Sequence, residues 1–185
     1  MDEPYFIYPM KYGFFFGGNM KKAQTVILKK AFFDKHINHK EILSNKAGRP
    51  YLSLIIECNE KIFAIPFRTN IKHKYAFLFK TSTRTINEKN KLPGLDFTKA
   101  VIIQESDIER HCAIDKNEWI ELNKNLDTIT KNFIEFIQKF KRSLKNSSFE
   151  KLPEFKFSSL QYFIDDLEDL FKENSTPPAD SSSGA

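Results

Sequence analysis

Apolar positions along this chain change period twice, and the changes divide it into a strand-rich first half and a helical second half. Residues 23–28 read as a strand, and residues 29–36 follow as a short helix carrying Phe32 and Phe33. Residues 51–57 and 61–67 are two apolar runs separated only by Asn59 and Glu60. So short a link predicts an antiparallel hairpin. A further strand is predicted over 99–104, after the Pro93-Gly94 turn, and a polar loop over 81–92. Asp115 is placed to cap a helix, with Glu118 at the reciprocal position of a capping box. From there Trp119, Leu122, Leu126, Ile129, Phe133, Phe136, Phe140 and Leu144 recur at steps of three and four, which predicts one amphipathic helix of about seven turns. Its other face carries Lys124, Lys131, Lys139, Lys141, Arg142 and Lys145. A last helix is expected from Ser158 or Ser159, with Leu160, Phe163, Ile164, Leu167 and Leu170 inward and Asp165, Asp166, Glu168 and Asp169 on a solvated outer face. Strands first and helices after predict an α+β fold, a compact antiparallel sheet with flanking helices.

Residues 20–173 read as one domain, the size that 185 residues allow. The aromatic, glycine-containing stretch 1–19 is a candidate N-terminal extension, with Met10 and Met20 as alternative starts. The Pro, Ser and Asp stretch 174–185 is expected to be a disordered tail. No apolar run approaches the roughly 20 residues of a membrane helix, and no signal-peptide pattern opens the chain, so a cytoplasmic protein with no membrane partner is expected. Two cysteines, Cys58 and Cys112, fit a reduced compartment and exclude a disulfide framework.

Charge narrows the function. The formal net charge is +5, but residues from Glu150 onward hold eight acids against three lysines, which leaves +10 on residues 1–149. So basic a body suits a polyanionic partner. The chemistry concentrates after the second strand of the hairpin, where Arg68, Thr69, Asn70, Lys72, His73, Lys74 and Tyr75 fall within eight residues. RNA scission through the 2′-OH needs a base, cations to stabilise the phosphorane and an acid for the departing oxygen. His73 is the residue of this segment whose ordinary pKa suits proton exchange near neutrality. Arg68 can clamp two phosphate oxygens with its planar fork, Thr69 can position one, and Lys72 adds positive charge. Arg49 opens the preceding strand, and the hairpin returns the chain beside it. Alternatively Thr69 or Asn70 caps a short helix through Lys72–Phe77; the amides at its start would still attract phosphate. Asn70, Lys72, Lys74 and Tyr75, with Lys29 and Lys30 at the first strand–helix corner, are the expected RNA contacts. His36, His39, Cys58, His111 and Cys112 show no metal-finger spacing, so neither a metal nor another cofactor is expected. Nor does a glycine-rich phosphate loop precede a helix.

Two stretches, Ile65-Pro66-Phe67-Arg68-Thr69-Asn70-Ile71-Lys72-His73-Lys74-Tyr75-Ala76-Phe77 and Gly94-Leu95-Asp96-Phe97-Thr98-Lys99-Ala100-Val101-Ile102-Ile103, resemble the TenpN toxins of type III toxin–antitoxin systems, which are more distantly similar to ToxN and AbiQ. The likeness spans roughly residues 20–145. It implies a MazF-like barrel with flanking helices, and metal-independent endoribonuclease activity leaving a 2′,3′-cyclic phosphate. It also implies inhibition by a pseudoknotted repeat RNA in a toxin–RNA hetero-oligomer, with a role in phage defence by abortive infection. Counted back from Pro66 without a gap, the lysine that opens the first strand in ToxN-like proteins falls on Arg49. Their Thr-Ser pair falls on Arg68 and Thr69. Thr69 keeps the hydroxyl on a stiffer side chain. Arg49 keeps the charge but is a poor proton shuttle, so His73 is the candidate general base. A non-catalytic cytoplasmic RNA-binding protein is the alternative.

Overall fold

The two apolar runs form the predicted hairpin. Strands β2 (Leu52–Cys58) and β3 (Lys61–Arg68) pair antiparallel, with Ser53 opposite Pro66 and Cys58 opposite Lys61. Both turn residues take positive φ, 44° at Asn59 and 64° at Glu60, the backbone of a two-residue turn whose twist matches its strands. The computed structural model describes residues 23–43, 51–83, 92–146 and 148–170. Arg49, the 1–19 extension, the 174–185 tail and most of the 81–92 loop therefore lie outside the described residues.

Strand β1 (Gln24–Leu28) pairs antiparallel with β2 on one side and with β7 (Ile108–His111) on the other. The far edge of β3 is shared. Its first half pairs with β6 (Val101–Ile103), and its end pairs with β5 (Gly94–Asp96), which in turn pairs with β4 (Ala76–Leu78). The seven-stranded sheet thus runs β4-β5-β3-β2-β1-β7, with β6 also on β3. At about 4.8 Å per strand, a flat β6-β3-β2-β1-β7 run would set its outer strands roughly 19 Å apart. The step from Ile103 to Ile108, partly wound in a 3-10 turn over Glu105–Asp107, spans under about 18 Å even fully extended. The sheet must coil strongly, yet its hydrogen-bonded order is open, with β4 and β7 at the two ends. The fold is α+β, and the described strands do not close into a barrel.

Alternation gives the sheet two buried faces. Leu54, Ile56, Phe63, Ile65 and Leu95 pack against Ile129, Phe133, Phe136, Ile137 and Phe140 of helix α3 (Leu126–Lys145). On the reverse face Val26, Leu28, Tyr51, Ala64 and Val101 pack with Phe32 and Phe33 of α1 (Lys30–Lys35) and with Phe163. Most of the phenylalanines named here are core, each stabilising by roughly 1.5–3 kcal/mol.

The predicted seven-turn helix is two. Asp115 caps α2 (Lys116–Lys124), accepting from the amides of Asn117 and Glu118. The helix is then interrupted at Asn125, with φ −112° and ψ 11°, before α3 begins. One non-helical residue leaves the three-and-four spacing almost undisturbed, so periodicity cannot reveal it. The expected last helix is also divided: α4 (Pro153–Lys156), a 3-10 turn over Ser159–Phe163, and α5 (Ile164–Asp169). Its outer face is not wholly solvated, because Asp166 pairs with Lys61 at 2.7 Å. Strands β4, β5 and β7 were not expected, and the helix considered through Lys72–Phe77 does not form; bends lead instead into β4. Among the described residues, no helix is long and apolar enough to cross a membrane.

Candidate functional site

Register brings the start of β2, the end of β3 and β5 together. Ser53 stands opposite Pro66, and two residues further Tyr51 comes level with Arg68, the last residue of β3. Gly94 pairs with Arg68 from the other side, which sets Asp96 beside Pro66. Asp96 and Arg68 occupy alternate positions and so face the same side of the sheet.

Asp96 is wholly buried, and every one of its bonds is to a donor. Oδ2 accepts from Arg68 Nη1 at 2.6 Å. Oδ1 accepts from the Thr98 amide at 3.0 Å and the Thr98 hydroxyl at 2.6 Å, and lies 3.2 Å from His73 Nε2. Thr98 sits where it does because Asp96 caps the 3-10 turn Phe97–Lys99. Burial alone would push the Asp96 carboxyl up. Hydrogen bonds from His73, Thr98 and Arg68, with the charge of His73, outweigh it and hold the group below its ordinary value. Asp96 is therefore a carboxylate at neutral pH and can only accept.

That fixes two neighbours. A carboxylate facing Nε2 requires the proton there, which leaves His73 Nδ1 as the ring nitrogen with the lone pair. Nδ1 is buried and has no hydrogen-bond partner among the described residues. Arg68 gives one N–H to Asp96, makes no other hydrogen bond among the described residues, and keeps about a third of its side chain exposed. Its remaining donors can meet an outside anion. The unit of Arg68, Asp96 and His73 carries net charge 0 or +1, according to the state of His73.

Thr69, Asn70, Lys72 and Lys74 are exposed beside this unit. Lys29 emerges at the same end of the sheet, two strands away by register, with Nζ on the Ser106 carbonyl at 2.7 Å. Lys30 is exposed and paired with Asp34 at 2.6 Å. The Tyr75 ring packs on Phe136 and Phe155, centroids 5.2 and 5.8 Å away, against the α3 face of the sheet. It is a half-buried contact of the core that carries Lys74 over its ring at 5.2 Å.

Sequence reasoning missed Asp96, Thr98 and Tyr51. The signal for the first two was present: an acid between Leu95 and Phe97, with a hydroxyl two residues on, is a turn cap placed in an apolar stretch. Tyr51 is buried, and its hydroxyl donates to the Lys99 carbonyl at 3.3 Å. Burial and then the Asp96 charge push its phenol far above the ordinary value, with Arg68 pulling the other way, so it stays a neutral hydroxyl. Burial likewise pushes the Cys58 thiol up, which makes it an inert core group.

Compared with protein-family models, curated proteins and solved structures, the chain finds no match.

Proposed function

We propose that this protein is the endoribonuclease toxin of a type III toxin–antitoxin system, similar to the TenpN family, and that it cuts RNA without a metal at the Arg68–Asp96–His73 unit. The observation that carries this reading is the buried Asp96 carboxylate, which holds a guanidinium and an imidazole side by side at the end of β3. Arg68 would bind the scissile phosphate through the donors Asp96 leaves free. His73 Nδ1 would take the 2′-OH proton once substrate binding uncovers that buried nitrogen, with Asp96 orienting the ring through Nε2. The 2′-oxygen would then attack phosphorus, the bond to the 5′-oxygen would break, and that oxygen would leave with a proton from solvent. The products would be a 2′,3′-cyclic phosphate and a 5′-hydroxyl. Exposed Thr69, Asn70, Lys72 and Lys74, with Lys29 two strands away, would guide the flanking backbone, and Arg49 remains a candidate for the same phosphate. The net charge of +10 over residues 1–149 fits both an RNA substrate and a folded RNA antitoxin in a hetero-oligomer. The coiled open sheet with flanking helices is compatible with a MazF-like origin, and phage defence from the cytoplasm would be the setting.

The test is incubation of pure protein with end-labelled RNA in excess EDTA. Fragments ending in a 2′,3′-cyclic phosphate are expected, and Arg68→Ala and Thr69→Ala should reduce them sharply. A mobility shift with no fragments would instead identify a non-catalytic RNA-binding protein.

A further inference from the structure

Away from that corner, a second set of ionisable side chains joins separate segments of the chain. His36 follows α1 and His39 lies in the next turn, with their Nδ1 atoms 2.9 Å apart. Two imidazole nitrogens at that distance need one N–H and one lone pair between them, so the contact survives only while one of the two is unprotonated. His39 stacks on Tyr162, with centroids 4.1 Å apart and planes within 4°. His36 leans on Phe32 and on Phe163. The Tyr162 hydroxyl accepts from the Glu41 amide at 3.4 Å, and the Glu41 carboxylate pairs with Lys99 at 2.6 Å.

We propose that the His36–His39 pair is a proton-operated latch, holding the 3-10 segment Ser159–Phe163 against the turn that carries Asp96, so that acid frees the segment and slackens the site. The connection is continuous. Tyr162 and Phe163 meet the histidines, while Ser159 of the same segment donates to the carbonyls of Ala100 (2.5 Å) and Thr98 (3.3 Å). Thr98 in turn holds Asp96 through its amide and hydroxyl. Lys99 adds a second tie, donating to the Phe157 carbonyl at 2.7 Å. The effect on the site rests on the reading of that corner as the place of RNA cleavage.

The direction follows from the charged groups around the pair. Burial first, then His39 and Lys35, disfavour a proton on His36; Asp107 favours one, and the balance leaves His36 below its ordinary value. The other charges at the junction, Glu41 and Lys99, neutralise each other. A released segment therefore binds protons that the seated one refuses. Seating is complete above the ordinary histidine value of about 6.5 and weakens as pH falls below it, by up to about tenfold per pH unit for one proton.

The test is amide hydrogen exchange on the full chain at pH 7.5 and 5.5, corrected for intrinsic exchange, with the β2–β3 hairpin as internal reference. Opening of residues 158–163 is expected to rise at pH 5.5, by no more than about tenfold for one proton, while the hairpin is unchanged. His36→Gln should remove the acid response, since glutamine keeps a polar amide but takes no proton, and His39→Gln should reduce it, leaving the burial of His36 in place. Equal protection at both pH values, or an acid response retained in both variants, would overturn the latch. RNA cutting measured in parallel separates the claims. Acid opening in a protein that cuts RNA at no pH would leave the latch standing and remove the endoribonuclease reading. Opening with an undiminished cutting rate would remove the coupling to the site.

Discussion

Replacing Asp96 with Asn changes one atom of a wholly buried group and should be costly. All four contacts of the carboxylate come from donors: Arg68, His73 and two from Thr98. An asparagine has one acceptor oxygen. With that oxygen toward Thr98 and His73, its NH2 faces the Arg68 guanidinium, donor against donor; the flipped amide faces three donors instead. Leaving a buried group unsatisfied costs about 1–3 kcal/mol, and removing one partner of a buried ion pair costs roughly 3–5 kcal/mol. Arg68 and His73 are each about a third exposed and can turn to water, which discounts the second figure. A loss of about 2–4 kcal/mol is expected, out of a total of roughly 5–15 kcal/mol. For a chain of this length that lowers the melting temperature by about 5–15 °C. Circular dichroism melts and urea titrations from pH 7 to pH 3 are the assay. The Asp96 contribution is present above the ordinary carboxyl range near pH 4 and is lost as pH falls through its lowered folded value. The gap between wild type and variant should therefore be widest at neutrality and narrow toward pH 3. Equal melting temperatures at pH 7, or a gap independent of pH, would refute the pairing described for this carboxylate.

Other changes test the frame around the site. Gly94→Ala would set a methyl 2.2 Å from the Phe77 carbonyl oxygen, so β4 and β5 must part; a cost of about 1–3 kcal/mol and loss of any activity resting on Arg68 are expected by melting and RNA assay. Glu60→Gly should stabilise by up to about 1 kcal/mol in urea titration, because Glu60 holds a φ of 64° that glycine takes without strain. Glu121 accepts from the Lys80 and Thr81 amides and the Thr81 hydroxyl; burial would raise its carboxyl, but those bonds and the Lys80 charge hold it down. Glu121→Gln should speed hydrogen exchange at residues 80–83 and cost under about 1 kcal/mol overall, since the bonds are exposed.

The longest patterned elements were legible from sequence. Apolar runs marked β2 and β3, and residues 23–28 marked β1, each within a residue or so, because strands of five to eight residues are long enough to stand out from their surroundings. The Asn59-Glu60 link fixed their register, and through it the meeting of Tyr51 and Arg68. β4 and β5, of three residues each, and β7, of four, are too short for periodicity and owe their existence to the edges they complete. The site was half legible. Arg68 and His73 are conspicuous in a basic run, but what binds them arrives 23 residues after His73, from a different strand. A buried acid reveals itself in sequence only through the apolar residues beside it, and Leu95 and Phe97 hid Asp96 among candidates for the core. The core packing of Tyr75 was hidden for the opposite reason: an aromatic within a basic run shows nothing of its contacts with Phe136 and Phe155.

The most direct measurement is the single-turnover rate of RNA cleavage by His73→Ala against wild type at pH 7, in EDTA, with both proteins first shown by circular dichroism to be folded. Loss of the proton acceptor should slow cutting by about 10²–10⁴-fold while RNA affinity changes little. A rate within about twofold of wild type, well short of any general-base effect, would contradict the assignment.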